Sequence, residues 1–595
     1  MKYLLKFKTC LFIAVLLMSL SSCQDFLNRP DPGSYTLADF YENDEQLLQS
    51  VNVLYNSPWH DFSRGFIGVG DGQSGNHYSG GGGWWMLNHT ESGIQEALAD
   101  MSAALWSVNA RANTTLENIN MYAGSGTTEA GRNTAKGEVL VWKAMSYFFS
   151  VRIYGAIPII HDNSAMMASG EYNTLFRTKI DKVYDYIVMT LEQAIKWLPE
   201  QNRPGRIDRY SAYGLLAKVY LTKSGYGQSG SRNQADLDKA KEYAAKVINE
   251  SGRELEPEYS DIFRGSNNFT REALISWHWI ALDDWTCANM QQSDLAPGGF
   301  DEHNCWGQWN GPSIDLQNAF GEDALKLNTR NNNDKRRKAT MMMYGDVYEY
   351  FWRDKPTKPK AGSDTETVTF SNGFDVTMFF VDVCGQFYCP TGANAVKHLA
   401  GNNADHIAEL GIPMPGQMAT GLSTHILRLA DVYLVYAEAV LGNNASTSDA
   451  GALKAFNAVR SRAGVPEKTS ITFDDIFLER RLELAYEGDF WYDFVRLAYY
   501  NSNDALDRLN RQERRNYTGL ISYTGFVGYL DKGEEGVTMG TDGLPTPRIN
   551  EDQNTGQPFL SASIFEVPFP QTDLNMNPSL LQEPQDFDIS TLSYK

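Results

Sequence analysis

The sequence lacks a second apolar run, a basic surplus and a cysteine framework. After residue 22 no segment is apolar over the roughly 20 residues that a membrane-spanning helix needs. Lysine and arginine total 52 against 73 aspartates and glutamates, a formal net charge of −21. That balance excludes nucleic acid as the main partner, because no basic face is available to neutralise phosphates. Cysteine is scarce, six in 595 residues, and both disulfides and free thiols stay open for those that remain after the signal. Motifs that carry common chemistry are missing too. No Gly-x-Ser-x-Gly elbow, His-Glu-x-x-His zinc pair or Walker phosphate loop occurs. Gly68-Val69-Gly70-Asp71-Gly72 has phosphate-loop spacing without the Lys, and the 9 histidines fall at no ligand spacing. No cofactor or metal is expected.

What is present begins with an export signal. Lys2, Lys6 and Lys8 precede the apolar run Leu11 to Met18, which is too short to span a bilayer. Leu20-Ser21-Ser22-Cys23 follows and resembles a bacterial lipobox, which implies cleavage before Cys23 and acylation of its thiol and new amino terminus. Two or more acyl chains hold a protein firmly on a bilayer at about 0.8 kcal/mol per buried methylene. The expected organisation is a signal peptide over 1–22, a lipidated tether over 23–40 and one domain over 41–595. Cys10 leaves with the signal, so Cys287, Cys305, Cys384 and Cys389 remain, with three full pairings open to them. Cys384 and Cys389 could close a small loop.

Apolar residues at three- and four-residue spacing predict a mainly α protein. Leu98 to Ile119, Ile180 to Leu198 and Ile426 to Val440 form three such stripes, the last two ended by Pro199 and Gly442. Further helices are predicted at 134–153, 209–223, 235–250, 449–463 and 474–487. Successive helices with short polar breaks suggest stacked helix–turn–helix units of the tetratricopeptide kind. The scaffold covers 95–255 and 421–500. A long irregular lobe, mainly 257–420, carries small β-hairpins, with Val368-Thr369-Phe370 and Val376 to Phe380 flanking Ser371-Asn372-Gly373. Residues 60–93 contain a glycine run, Gly80 to Gly83, and cannot be helical throughout.

Several segments resemble the SusD/RagB family of outer-membrane nutrient-binding lipoproteins of Bacteroidetes. Cys23-Gln24-Asp25-Phe26-Leu27 with Pro30 is similar to the family's opening. Gly137-Glu138, Ala144, Tyr147-Phe148, Tyr154-Gly155 and Pro158 match a second segment, with Lys143 and Ala156 where Arg and Asp are common. The most specific match runs from Arg428 to Ala439, then Asn457, Val459-Arg460 and Arg462-Ala463-Gly464, then Glu479-Arg480, Glu483-Leu484, Glu487-Gly488, Trp491, Asp493 and Arg496. Pro568, Pro570, Asn577-Pro578, Gln582 and Pro584 resemble the closing segment. The resemblance implies a non-enzymatic oligosaccharide binder at the cell surface. It also implies a partner, a SusC-type TonB-dependent transporter that the protein covers as a lid. The acids and arginines of the match read as structural ion pairs between packed helices, not as a catalytic pair.

The ligand residues have to be sought in the loops. Five of the 13 Trp lie between 277 and 309, where uniform scattering predicts about 0.7. Trp277 and Trp279 alternate within an apolar run, which favours the core. Trp285, Trp306 and Trp309 stand among Asp, Asn, Gln and Gly, and Trp84-Trp85 close the glycine run. A pyranose offers an apolar C–H face to an indole and a rim of hydroxyls to amides and carboxylates. The candidate site is therefore Trp306 and Trp309, then Trp84, Trp85 and Trp285, with Asn88, Asp71, Gln308 and Asn310 as hydroxyl partners. Two rivals share these features: a surface-anchored glycoside hydrolase using paired carboxylates, and a binder of peptide ligands.

Overall fold

The computed structural model describes residues 40–595 apart from 81–83, 171–172, 282–284, 298–299, 304, 308–309, 324–329, 344–345, 355–356, 360–366, 370–373, 376–390, 417, 515–516, 521–548 and 552–557. The signal, Cys23 and the tether through residue 39 lie outside the described residues, as do Gln308, Trp309, Cys384 and Cys389. No helix among the described residues is long and apolar enough to cross a membrane.

The fold is mainly helical. Two helices, α1 (Asp44–Val51) and α2 (His60–Ile67), precede the long pair α3 (Glu96–Tyr122) and α4 (Glu129–Tyr154). Then come α5 (Ile180–Trp197), α6 (Arg209–Lys223) and α7 (Gln234–Glu250), and after the lobe α8 (Leu429–Leu441), α9 (Ala450–Ala463), α10 (Phe473–Leu484) and α11 (Phe490–Asn510). From α3 to α8 each of these helices packs against the next, and α8 packs on both α9 and α10. Helix α7 docks directly on α8, although nearly 180 residues separate them. The irregular lobe is thus an insertion between two neighbouring rungs of one ladder.

Local chemistry sets the rungs. Thr128 accepts the amide of Gly131 to start α4, Asp208 and Ser211 form a reciprocal cap on α6, and Asn233 caps α7. The second half of α4 is buried on every face, from Val139 to Tyr154, which makes it the centre of the ladder. One apolar cluster then runs from Tyr41 through the helices to Val567. It includes Trp277 and Trp279, buried as their alternation predicts. Within the lobe a smaller cluster gathers Phe300, Tyr348, Phe351 and Trp352.

Two expectations need correction. Ile426 belongs not to the helical stripe but to a strand, Thr424–Arg428, paired antiparallel with Ala273–Trp277. In the lobe, strand Thr367–Thr369 pairs antiparallel with Thr357–Pro359, and Phe374–Asp375 with Val347–Tyr348. The turn 370–373 and the second strand 376–380 of the expected 368–380 hairpin lie outside the described residues. Helix α10 stops at Leu484, three residues short of the predicted end, because Tyr486 and Gly488 take left-handed backbone angles of +64° and +66°.

The acids and arginines of the family-like segments form two buried ionic clusters. In the first, Glu483 meets Arg462 at 2.5 Å, Arg428 at 3.1 Å and Arg336 at 3.4 Å. Glu272 joins Arg428 (2.5 Å) and Arg462 (3.0 Å), and Glu487 joins Arg428 (2.7 Å) and Lys397 (2.8 Å). Glu479 joins Arg336 and Arg460, and Asp334 closes on Arg336 at 2.7 Å. In the second, Asp431 holds Lys218 and Arg480, Glu438 holds Arg232 and Arg496, and Asp489 and Asp493 hold Arg480 again. Cations and carboxylates named in the first cluster balance, the condition under which buried charge is tolerated. Glu272, Asp334, Arg336 and Lys397 come from the lobe, whereas Arg428, Arg460, Arg462, Glu479, Glu483 and Glu487 come from the scaffold side. The first cluster is therefore the clamp that fixes the lobe on the ladder.

Candidate functional site

One cleft of about 580 Å³ opens where the N-terminal helices meet the lobe. Asp61, Arg64, Gly65 and Gly68 present one face of α2 and its continuation, since these positions recur at three- and four-residue intervals. Glu96 and Asp100, four apart on α3, form a second wall with Ala97. The lobe supplies Asp294, Leu295, Trp306 and Asn310, and Met86 and Leu87 join them from the short helix Trp84–Leu87.

Hydrogen bonds fix the lobe side. His77–Ser79 pairs antiparallel with Asn310–Pro312, which sets Ser79 opposite Asn310, and Ser79 Oγ donates to Asn310 Oδ1 at 2.8 Å. The Trp306 amide donates to Ser293 O at 2.6 Å. Asn394 Nδ2 donates to the carbonyls of Gly307 (3.4 Å) and Asn310 (3.2 Å). Gly307 lies against the backbone of Leu295 with no space for a Cβ, so this glycine is required by close approach. The segment is thus partly a strand and pinned on both sides, where the sequence suggested a free loop. It presents the Trp306 indole 49% exposed, whereas Trp277 and Trp491 are fully buried. Across the cleft Arg64 forks onto Asp294, Nε to Oδ2 at 3.0 Å and Nη2 to Oδ1 at 3.2 Å.

The floor is unusual. Helix α2 continues into a five-residue π turn, Gly68–Gly72, of the kind that often marks functional sites. Gly70 lies against the backbone of Gly488. Asp71, expected to meet a ligand hydroxyl, is instead fully buried beneath the cleft, and that expectation is corrected. Its carboxylate accepts the amides of Tyr486 (2.8 Å) and Gly488 (2.9 Å) and the Asn76 side-chain amide (3.1 Å). Burial pushes the Asp71 carboxyl up to about 6 against the pull of these donors. His77 Nδ1 meets Tyr486 Oη at 2.9 Å, and His398 Nε2 donates to Tyr486 O at 2.6 Å. Asp71 is therefore a positioning residue: it holds the left-handed turn after α10 and ties the cleft floor to the ionic clamp.

Of the remaining sequence candidates, the structure brings Trp306 and Asn310 together in the cleft. Trp285 is 36% exposed on the turn Trp285–Cys287, beside Ser57–Trp59, and does not line the cleft. Asn88 is half-buried, its Oδ1 enclosed without a hydrogen-bond partner among the described residues, and it also lies outside the lining. Trp84 and Trp85 begin the helix that carries Met86 and Leu87, but their side chains fall outside the described ones. Sequence reasoning missed Asp61, Arg64, Glu96, Asp100 and Asp294, and no sequence signal links Arg64 with a partner 230 positions away. Cys287 is half-buried and Cys305 buried. Among the described residues no group of His, Cys, Asp and Glu could hold a metal ion.

A helical ladder with an inserted lobe and an aromatic cleft at their junction defines a class that comparison with known proteins makes specific. Residues 414–585 match the model of the SusD family, and residues 84–221 match one described as starch-binding associating with outer membrane. The chain is 32% identical to a SusD-like protein of Bacteroides ovatus over 96% of its own length and 97% of the relative's. The chain belongs to the SusD family. A crystal structure with xylogluco-oligosaccharide is similar at a TM-score of 0.74 and 28% identity, covering 91% of this chain and 99% of that one. A laminarin-binding SusD-like protein shares the fold at a TM-score of 0.59 and 20% identity, covering 91% of this chain and 100% of that one.

Proposed function

We propose that this protein is a non-catalytic glycan-binding lipoprotein of the outer membrane. Anchored at the cell surface through Cys23, it captures oligosaccharides in the Trp306 cleft and passes them to a SusC-type TonB-dependent transporter. The observation that carries the reading is Trp306. A half-exposed indole on a pinned backbone, beside Asn310 and across from the Arg64–Asp294 fork, suits a sugar's apolar face and hydroxyl rim. A relative bound to xylogluco-oligosaccharide supports the ligand class. The family-matching carboxylates Asp431, Glu438, Glu479, Glu483 and Glu487 are all engaged by buried cations, so none of them is offered as a hydrolytic acid or base.

Titrating the mature protein with β-glucan and xylogluco-oligosaccharides, alongside peptides, tests the reading. Saturable binding of at least one neutral oligosaccharide is expected, with no new reducing ends after prolonged incubation. Turnover that persists through further purification would reject the non-catalytic reading. Binding to peptides alone would reject the glycan.

A further inference from the structure

We propose that the cleft selects uncharged saccharides and rejects those carrying carboxylate or sulfate groups. This rests on the glycan reading of the same cleft. Among the described residues the walls carry four carboxylates, Asp61, Glu96, Asp100 and Asp294, against one guanidinium, Arg64. Arg64 is committed to Asp294, both oxygens of which it binds. Among the described residues Asp61 lies within ion-pair distance of the His60 imidazole alone, at 3.9 Å, and Glu96 and Asp100 form no ion pair. His77, the other titratable cation candidate in the lining, is kept neutral, because burial pushes its imidazole down to about 4.

These carboxylates share one field. Burial first, then the neighbouring Asp61 and Glu96, raise the Asp100 carboxyl above its ordinary range, and Arg64 offsets only part of that rise. The partner helices lie close: Gly65 of α2 sits against the Met101 side chain of α3, with Asp61 one turn before Gly65 and Asp100 immediately before Met101. The acids are not themselves a ligand site. They set the potential of a cleft whose contact surface is the indole and the amide. An excess of one sign along a cleft sets the potential a ligand meets there, and specificity can be gained by repulsion as well as by contact. A uronate or sulfate seated on Trp306 would lose hydration among like charges, with the Arg64 guanidinium already paired.

The test compares neutral β-glucan and xylogluco-oligosaccharides with the same molecules after oxidation of their primary hydroxyls to carboxylates. At low salt the oxidised form is expected to bind at least about tenfold more weakly than its parent, and Trp306→Ala should weaken the parent, placing both in this cleft. About 0.5 M salt shortens screening to a few ångströms and should shrink the ratio to roughly threefold or less. Asp61→Asn combined with Asp100→Asn should shrink it similarly at low salt. Oxidised ligand binding as tightly as its parent, or a ratio unmoved by salt and by the double variant, would overturn the charge argument while leaving the glycan reading standing. If no neutral oligosaccharide bound, the glycan reading would fail and this inference with it.

Discussion

Replacing Glu483 by Ala is expected to cost about 3–5 kcal/mol of folding stability, the range for leaving a buried ionic cluster with one uncompensated charge. Glu483 is wholly buried, and its carboxylate faces Arg462, Arg428 and Arg336 at once. Its removal leaves those guanidinia to share Glu272, Glu479, Glu487 and Asp334, which already have partners. A lower urea midpoint would register the loss. Acid should act on the same group. Burial opposes ionisation of Glu483, but Arg462, Arg428 and Arg336 outweigh it and hold the carboxyl down to about 2. The folded value lies below the unfolded one, so this stabilisation is complete above about pH 4.5 and drains away as pH falls toward 2. Glu483→Gln should flatten that limb of the pH–stability curve. An unchanged midpoint in Glu483→Ala would mean that the clamp contributes nothing net.

Trp306→Ala is expected to weaken oligosaccharide binding about 30-fold, the consequence of losing about 2 kcal/mol at an aromatic hot spot. The folding cost should be small, because nearly half of this side chain already faces water. Trp277 supplies the contrast: fully buried and ringed by Trp59, Phe62, Phe66 and Trp279, it should lose about 3–5 kcal/mol of stability on truncation to Ala. Calorimetric titration and urea melts of both variants separate the two roles. Large instability in Trp306→Ala with normal affinity would move this indole into the structural frame.

The ladder was legible because its helices carry long, regular apolar stripes; 209–223 coincides with α6, and 235–250 misses α7 by one residue. That the acids and arginines of the family-like segments brace helices was legible from residue type and position, whereas their partners Lys218, Arg232, Glu272, Arg336 and Lys397 were not, being remote in sequence. Asp71 was misread for a physical reason. Three glycines around it suggest an exposed loop, yet they serve a π turn so closely packed that Gly70 meets the backbone of Gly488. Its true partners, the amides of Tyr486 and Gly488, lie more than 400 positions away. Helix α10 ends early through that same contact, which no local propensity encodes. The cleft walls were invisible likewise: Asp61, Arg64, Glu96 and Asp100 are ordinary polar faces of ordinary helices until Asp294 and Trp306 are folded against them.

The most direct measurement of the central claim is a crystal structure of the mature protein with a neutral oligosaccharide selected by titration. A sugar ring stacked on the Trp306 indole, with its hydroxyls reaching Asn310 and the Arg64–Asp294 fork, is the predicted result. Oligosaccharide bound elsewhere, for instance beside exposed Phe269 among Arg203, Arg206, Arg253 and Arg271, with the Trp306 cleft empty, would contradict it.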